Sequence, residues 1–166
     1  LLPKAFAITS DTRVWIDPTN GWLAIDAASG NTAAEIFGLL ARAIDKFPGQ
    51  PLRLTHNISN TMTHWLADDN APAGFTIDQD LELRGRDGKA AVRYSNLSAS
   101  HEDIMRHIGD ERVCTRLGLT WNDRISFVLT DKGEIKRLQA LDVLKESAGP
   151  DGADALERFE TDMALM

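Results

Sequence analysis

Asp78, Asp80 and Glu82 alternate with Ile77, Gln79, Leu81 and Leu83 along one short stretch. In a β-strand, alternate residues share a face, so three carboxylates would converge as a hard divalent cation requires. The chemistry would then be metal-dependent cleavage of DNA, with Mg²⁺ or Mn²⁺ as the Lewis acid. The competing reading is a solvated strand face beside a loop. The four histidines, His56, His64, His101 and His107, complete no coordination set. His101-Glu102 and His107 resemble a His-Glu-x-x-His zinc motif only superficially. Six positions separate the rings, about 600° around a helix of roughly 3.6 residues per turn. They read as surface or capping histidines. No Gly-x-Ser-x-Gly elbow, Walker loop or Gly-rich dinucleotide turn is present. Cys114 is the single cysteine; it can form no intramolecular disulfide, fits a reducing compartment and reads as a buried strand residue.

The basic residues form a different constellation. Arg84, Arg86, Lys89 and Arg93 surround one turn and are opposed there by Asp87 alone. Strand geometry projects Arg84 and Arg86 from one face, and Arg112 and Arg116 share strand parity. Lys132, Lys136 and Arg137 follow at the end of the next strand pair. The 166-residue chain has a formal net charge of −7, yet residues 84–137 carry 11 basic and 8 acidic side chains. Residues 1–83 and 138–166 are each acidic by five charges. A polyanion responds to the local field rather than to the total, so the middle third is where one would bind. Phosphate contacts need cations spaced along a surface and no sequence code. Single-strand binding would need exposed aromatic rings between the cations. Tyr94 is the sole tyrosine, and Phe127 and Trp121 are expected in the core, so duplex DNA is the expected ligand. No cofactor is called for.

The elements that would hold these groups follow from turn and periodicity signals. Arg13–Asp17 and Trp22–Asp26 flank Pro18-Thr19-Asn20-Gly21 as a β-hairpin, with the Asn-Gly pair supplying positive φ angles. Thr32 and Glu35 form a capping-box pattern ahead of Ile36, Phe37, Leu40, Ile44 and Phe47, a helix ended by Pro48-Gly49. A short strand is expected over 51–55, then a short helix capped by Ser59. A second hairpin, Asp78–Gly85 with Lys89–Asn96, precedes a helix capped by Ser100 and Asp103. Residues 112–138 read as a three-strand meander with turns at Trp121-Asn122-Asp123 and Asp131-Lys132-Gly133. Tight turns between sequential strands imply an α+β fold, with antiparallel sheets from the hairpins and the meander packed against helices. Residues 1–146 would form this domain, with two hairpin–helix units at 1–74 and 75–146. Residues 147–166 would be a linker and part of a C-terminal helix. Apolar runs are too short for a membrane span, no signal peptide is recognisable, and the missing initiator methionine suggests a piece of a longer protein.

Several segments together resemble the bacterial recombination-associated RdgC family. They are Leu1-Leu2-Pro3-Lys4-Ala5-Phe6, Trp15-Ile16-Asp17 with Asn20-Gly21, Leu81-Glu82-Leu83-Arg84, and Val113 to Trp121 with Arg124 to Val128. Gly133 to Leu138 and Phe159-Glu160-Thr161-Asp162 complete the collinear set. The resemblance implies a non-enzymatic, nucleoid-associated protein of the bacterial cytoplasm. It implies a homodimeric ring that surrounds duplex DNA without sequence preference and modulates RecA-dependent recombination, with the RecA filament as a further partner. It also implies that the first third of the parent is missing and that Lys4 and Phe6 belong to the dimer interface. Around Arg93-Tyr94-Ser95-Asn96 the chain is less basic than the family pattern. A protein-interaction domain acting through the acidic regions is the alternative reading, and a nuclease built on Asp78, Asp80 and Glu82 is the third.

Overall fold

Alternation of apolar and polar residues builds the main sheet. Leu81, Leu83, Cys114, Leu117 and Leu119 are buried on one face, where Met62, Leu66 and Ile104 close over them. The structure is a computed structural model and describes residues 10–95 and 100–141. The chain divides into two compact units, residues 1–52 and 53–166.

In the first unit, β1 (Arg13–Asp17) pairs antiparallel with β2 (Trp22–Asp26), and α1 (Gly30–Ala43) follows. The hairpin loop has four residues, Pro18 to Gly21, and only Gly21 takes a positive φ, 76°. Asp17 fixes the loop by accepting from Thr19 N–H at 2.9 Å and Asn20 N–H at 3.0 Å. A side-chain hydrogen bond from Asn20, chiefly, holds its carboxyl below the ordinary value. The four-residue loop is the one expected; the correction is that Gly21 alone, not the Asn20-Gly21 pair, supplies the positive φ, and the aspartate does the rest of the turning. The helix cap also shifts. Ser29 Oγ accepts from Thr32 N–H at 3.2 Å, so Ser29 is the N-cap and Thr32 lies inside the helix. Ile44 is the C-cap; Phe47 leaves the helix and meets Phe37 edge-on, with ring centroids 5.4 Å apart.

In the second unit, α2 (Ile58–Ala67) precedes β3 (Phe75–Gly85) and β4 (Ala91–Tyr94). Then come α3 (His101–Gly109), β5 (Arg112–Trp121), β6 (Ile125–Thr130) and β7 (Ile135–Ala140). The sheet order is β4-β3-β5-β6-β7, antiparallel throughout. The α+β class and the meander thus stand as the sequence implied. The strand expected over 51–55 does not form; Leu54 lies against the β6–β7 turn at Gly133 instead of joining a ladder, and Pro51 has no N–H to give one. Asn57, not Ser59, caps α2, its Oδ1 accepting from Asn60 N–H at 3.0 Å. The linker and helix expected over 147–166 lie outside the described residues.

Ser59 has a different task. β6 ends at Thr130, opposite Arg116, so the first residues of β5 run past it. There α2 supplies polar partners: Ser59 Oγ–H donates to the Cys114 carbonyl at 2.6 Å, and Cys114 N–H donates to Thr63 Oγ1 at 2.9 Å. The Thr63 hydroxyl in turn donates to the Ser59 carbonyl at 2.7 Å. Burial pushes the Cys114 thiol up to about 12, so this sulfur is inert near neutrality. Leaving a buried backbone amide without its acceptor costs about 1–3 kcal/mol. Thr63→Val, nearly isosteric, should lower unfolding free energy by that amount in urea denaturation, with no change in denaturant slope.

Candidate nucleic-acid interface

The sheet's second face, turned away from α2 and α3, is organised around one carboxylate. Glu82 lies mid-strand in β3 and is 4% exposed. Its register neighbours are Arg93 on β4 and Arg116 on β5. Glu82 Oε2 accepts from both Nε (3.1 Å) and Nη2 of Arg93, a two-pronged pairing. Oε1 accepts from Arg84 Nη2 at 3.0 Å and from Thr115 Oγ1 at 2.9 Å. Burial by itself would raise this carboxyl. Hydrogen bonds from Arg93, Thr115 and Arg84, with the Arg93 charge, outweigh it and hold the group at about 2.

Strand irregularities decide which cations reach this face. Leu83 pairs with Cys114 but Glu82 pairs with Arg116, so Thr115 is an extra residue in β5. That bulge puts Thr115 on the Glu82 side and reverses the parity of everything before it. Arg112 and Arg116, expected on one face, consequently diverge. Arg112 turns to the helix side, where its guanidinium donates to His107 Nδ1 and lies 3.9 Å from Asp110. Because a guanidinium only donates, His107 Nε2 is left to donate to the Tyr94 hydroxyl, 3.1 Å away. His107 is thus a half-buried bridge between α3, β4 and β5, not the surface or capping histidine expected. A second irregularity lies in β7: Val128 pairs with Lys136 and Ser126 with Gln139, and Arg137 takes φ 54°. From there Arg137 Nη1 reaches Asp80 Oδ2 at 3.1 Å.

The nine expected DNA contacts therefore sort into three groups. Arg84, Arg93, Arg116 and Arg137 belong to the second face, as does Lys136, beside Val128 and paired with Glu134 at 3.1 Å. Arg86 and Lys89 sit exposed in the β3–β4 turn, where Gly88 takes φ 72°; Arg86 lies past the end of β3 and does not share Arg84's strand face. Lys132 is exposed in the β6–β7 turn, and Arg112 is on the other side of the sheet. Lys4 and Phe6 lie outside the described residues.

The carboxylates of the metal reading do not form a metal site. Asp78 and Asp80 share a face over Gly118, whose missing Cβ leaves room for them, but each is engaged separately. Asp78 accepts from Thr120 Oγ1 at 2.9 Å, Asp80 pairs with Arg137, and Glu82 is saturated by two arginines and a threonine. Among the described residues no group of three His, Cys, Asp or Glu side chains could hold a metal ion. The convergence expected of Asp78, Asp80 and Glu82 therefore does not form: a bulge in β3 between Ile77 and Leu81 and the cross-strand partners spend these charges on structure.

What fold and face define is an antiparallel α+β module whose sheet presents guanidinium groups ordered by a buried carboxylate. The family model described as "Putative exonuclease, RdgC" matches residues 1–166, so the chain belongs to the RdgC family. The recombination-associated protein RdgC of Cupriavidus pinatubonensis is 53% identical over 167 residues, covering all of this chain and 56% of that protein. Proteins of the same name from Bordetella parapertussis and Janthinobacterium sp. (strain Marseille) are 50% and 47% identical over the same span. The chain spans about half the length of these relatives. No helix among the described residues is long and apolar enough to cross a membrane.

Glu82 stabilises the folded state as a carboxylate. Its carboxyl sits below the ordinary 4.5, so its contribution is complete above that value and is lost as pH falls toward about 2. The limit is about 3 kcal/mol. Glu82→Gln should cost about 2 kcal/mol at pH 7. In urea denaturation at pH 7 and pH 3, the variant should also lose part of the acid sensitivity of the parent sequence.

Proposed function

We propose that this chain forms part of a sequence-nonspecific duplex-DNA clamp within a recombination-associated protein. The observation that carries this reading is the set Arg84, Arg93, Arg116 and Arg137 on one sheet face. A guanidinium presents five N–H donors in a planar fork that matches phosphate oxygens. For Arg84, Arg93 and Arg137, bonding to Glu82 or Asp80 uses only part of that fork and fixes the rest in place, which lowers the ordering cost when a phosphate arrives. Arg86 and Lys89 at the adjoining turn extend the cationic surface.

Aromatic stacking has little to work with here. The Tyr94 hydroxyl is tied to His107, and Phe127 packs edge-on against Phe75 at 6.3 Å. Contact with the backbone, not the bases, follows from that arrangement and favours duplex over single-strand binding. The relatives' name places them in recombination, and the same role is proposed for this chain. The clamp would be a cytoplasmic, nucleoid-associated homodimeric ring closed partly through Lys4 and Phe6, with the remaining lining supplied by sequence outside this chain. Closure converts weak phosphate contacts into long residence, and coating of DNA would limit RecA filament activity without any cofactor or hydrolysis.

Fluorescence anisotropy of a random-sequence duplex in EDTA, across a salt series, tests this for the chain and for the longer protein. Neutralising three to four phosphates, with release of their counterions, should give a log–log salt slope of about −3 to −4. Absence of binding by the longer protein at low salt would overturn the reading.

A further inference from the structure

Three register irregularities meet around one shallow depression on the second face. The β3 bulge places Asp80, the β5 bulge at Thr115 places Arg116, and the β7 irregularity places Arg137. Those residues line the depression together with Glu82, Arg93 and Val128. Bulges re-aim side chains at a cost in ladder bonds and favour functional positions, and the left-handed backbone at Arg137 adds a further local cost. Ordinary sheet packing would not require three such departures around one spot.

The charges there do not balance. Glu82 takes Arg93 and Asp80 takes Arg137, while no described residue gives the Arg116 guanidinium a hydrogen bond or ion pair. Arg116 is half-buried over a floor that includes buried Val128, a setting in which a cation gains by acquiring an anion. From this geometry we infer that the Arg116 depression is the seat for a single phosphate group. Arg116 is its principal donor, and Arg93 and Arg137 flank it from fixed positions. The inference rests on the DNA-clamp reading and names the point on that face where a phosphate is held. A phosphodiester of the duplex backbone and a terminal phosphomonoester share the required chemistry.

Anisotropy with the longer protein and its Arg116→Gln variant separates the possibilities. The probes are a closed dumbbell duplex without ends, and linear duplexes bearing a 5′-phosphate or a 5′-hydroxyl. Arg106→Gln is the charge control, because Arg106 lies on α3 and pairs with Asp103 at 3.3 Å. For a backbone seat, Arg116→Gln should weaken dumbbell binding about tenfold and reduce the salt slope by about one, with Arg106→Gln unchanged. A loss confined to the 5′-phosphorylated duplex would assign the seat to terminal phosphate. Equal binding of all probes by the original protein and Arg116→Gln would overturn the seat while leaving the clamp reading intact. No binding by the original protein would overturn both. Should Arg116→Gln fail to fold, inorganic phosphate titrated into the unsubstituted protein decides the matter. A saturable shift of the Arg116 Nε–H resonance supports the seat, and its absence overturns it.

Discussion

The pairing of the Glu82 carboxylate with Arg84, Arg93 and Thr115 is the constraint on which the rest of this sheet depends. Among the described residues it is the only charged side chain that is buried. A carboxylate there without partners would protonate or unfold the strand. Its partners come from β3 itself, β4 and β5, so one group ties three strands together on the side that the helices do not cover. It also determines where the Arg84 and Arg93 guanidinium groups stand, linking stability to the proposed function through the same hydrogen bonds.

A similar economy governs the helix side. α2 buries Met62 and Leu66 while Ser59 and Thr63 satisfy Cys114 where β6 has already ended. That support stands one residue before the Thr115 bulge and two before Arg116. Polar side chains on a core helix thus help to hold the strand distortion that delivers an arginine to the opposite face. Core packing and the candidate interface are consequently not separable layers.

Much of the fold was legible because it is encoded locally. Gly88 and Gly133 take the positive φ their turns require, and Ser100 caps α3 through Asp103 N–H at 3.1 Å. The heptad-like apolar spacing of α1 was also sufficient to place the helix, though Ser29 proved the better cap than Thr32. What sequence could not supply was register. Parity assigned Arg112 and Arg116 to one face, but an extra residue at Thr115 is fixed by pairing with β3, not by any local signal. The same limit made Asp78, Asp80 and Glu82 look like a metal site, since their partners Thr120, Arg137 and Arg93 come from 11 to 57 residues away. A cue did exist for Gly118: a glycine inside an otherwise apolar strand marks close approach of a neighbouring chain.

The central claim is that duplex DNA lies on the sheet face organised by Glu82. Arginine footprinting tests it most directly: the longer protein is modified with phenylglyoxal with and without duplex, and each site is quantified by mass spectrometry. The account predicts protection of Arg84, Arg93, Arg116 and Arg137, with Arg106 and Arg112 modified equally in both states. Protection of Arg106 and Arg112 with the other four unaffected would place DNA on the helix side and contradict the account.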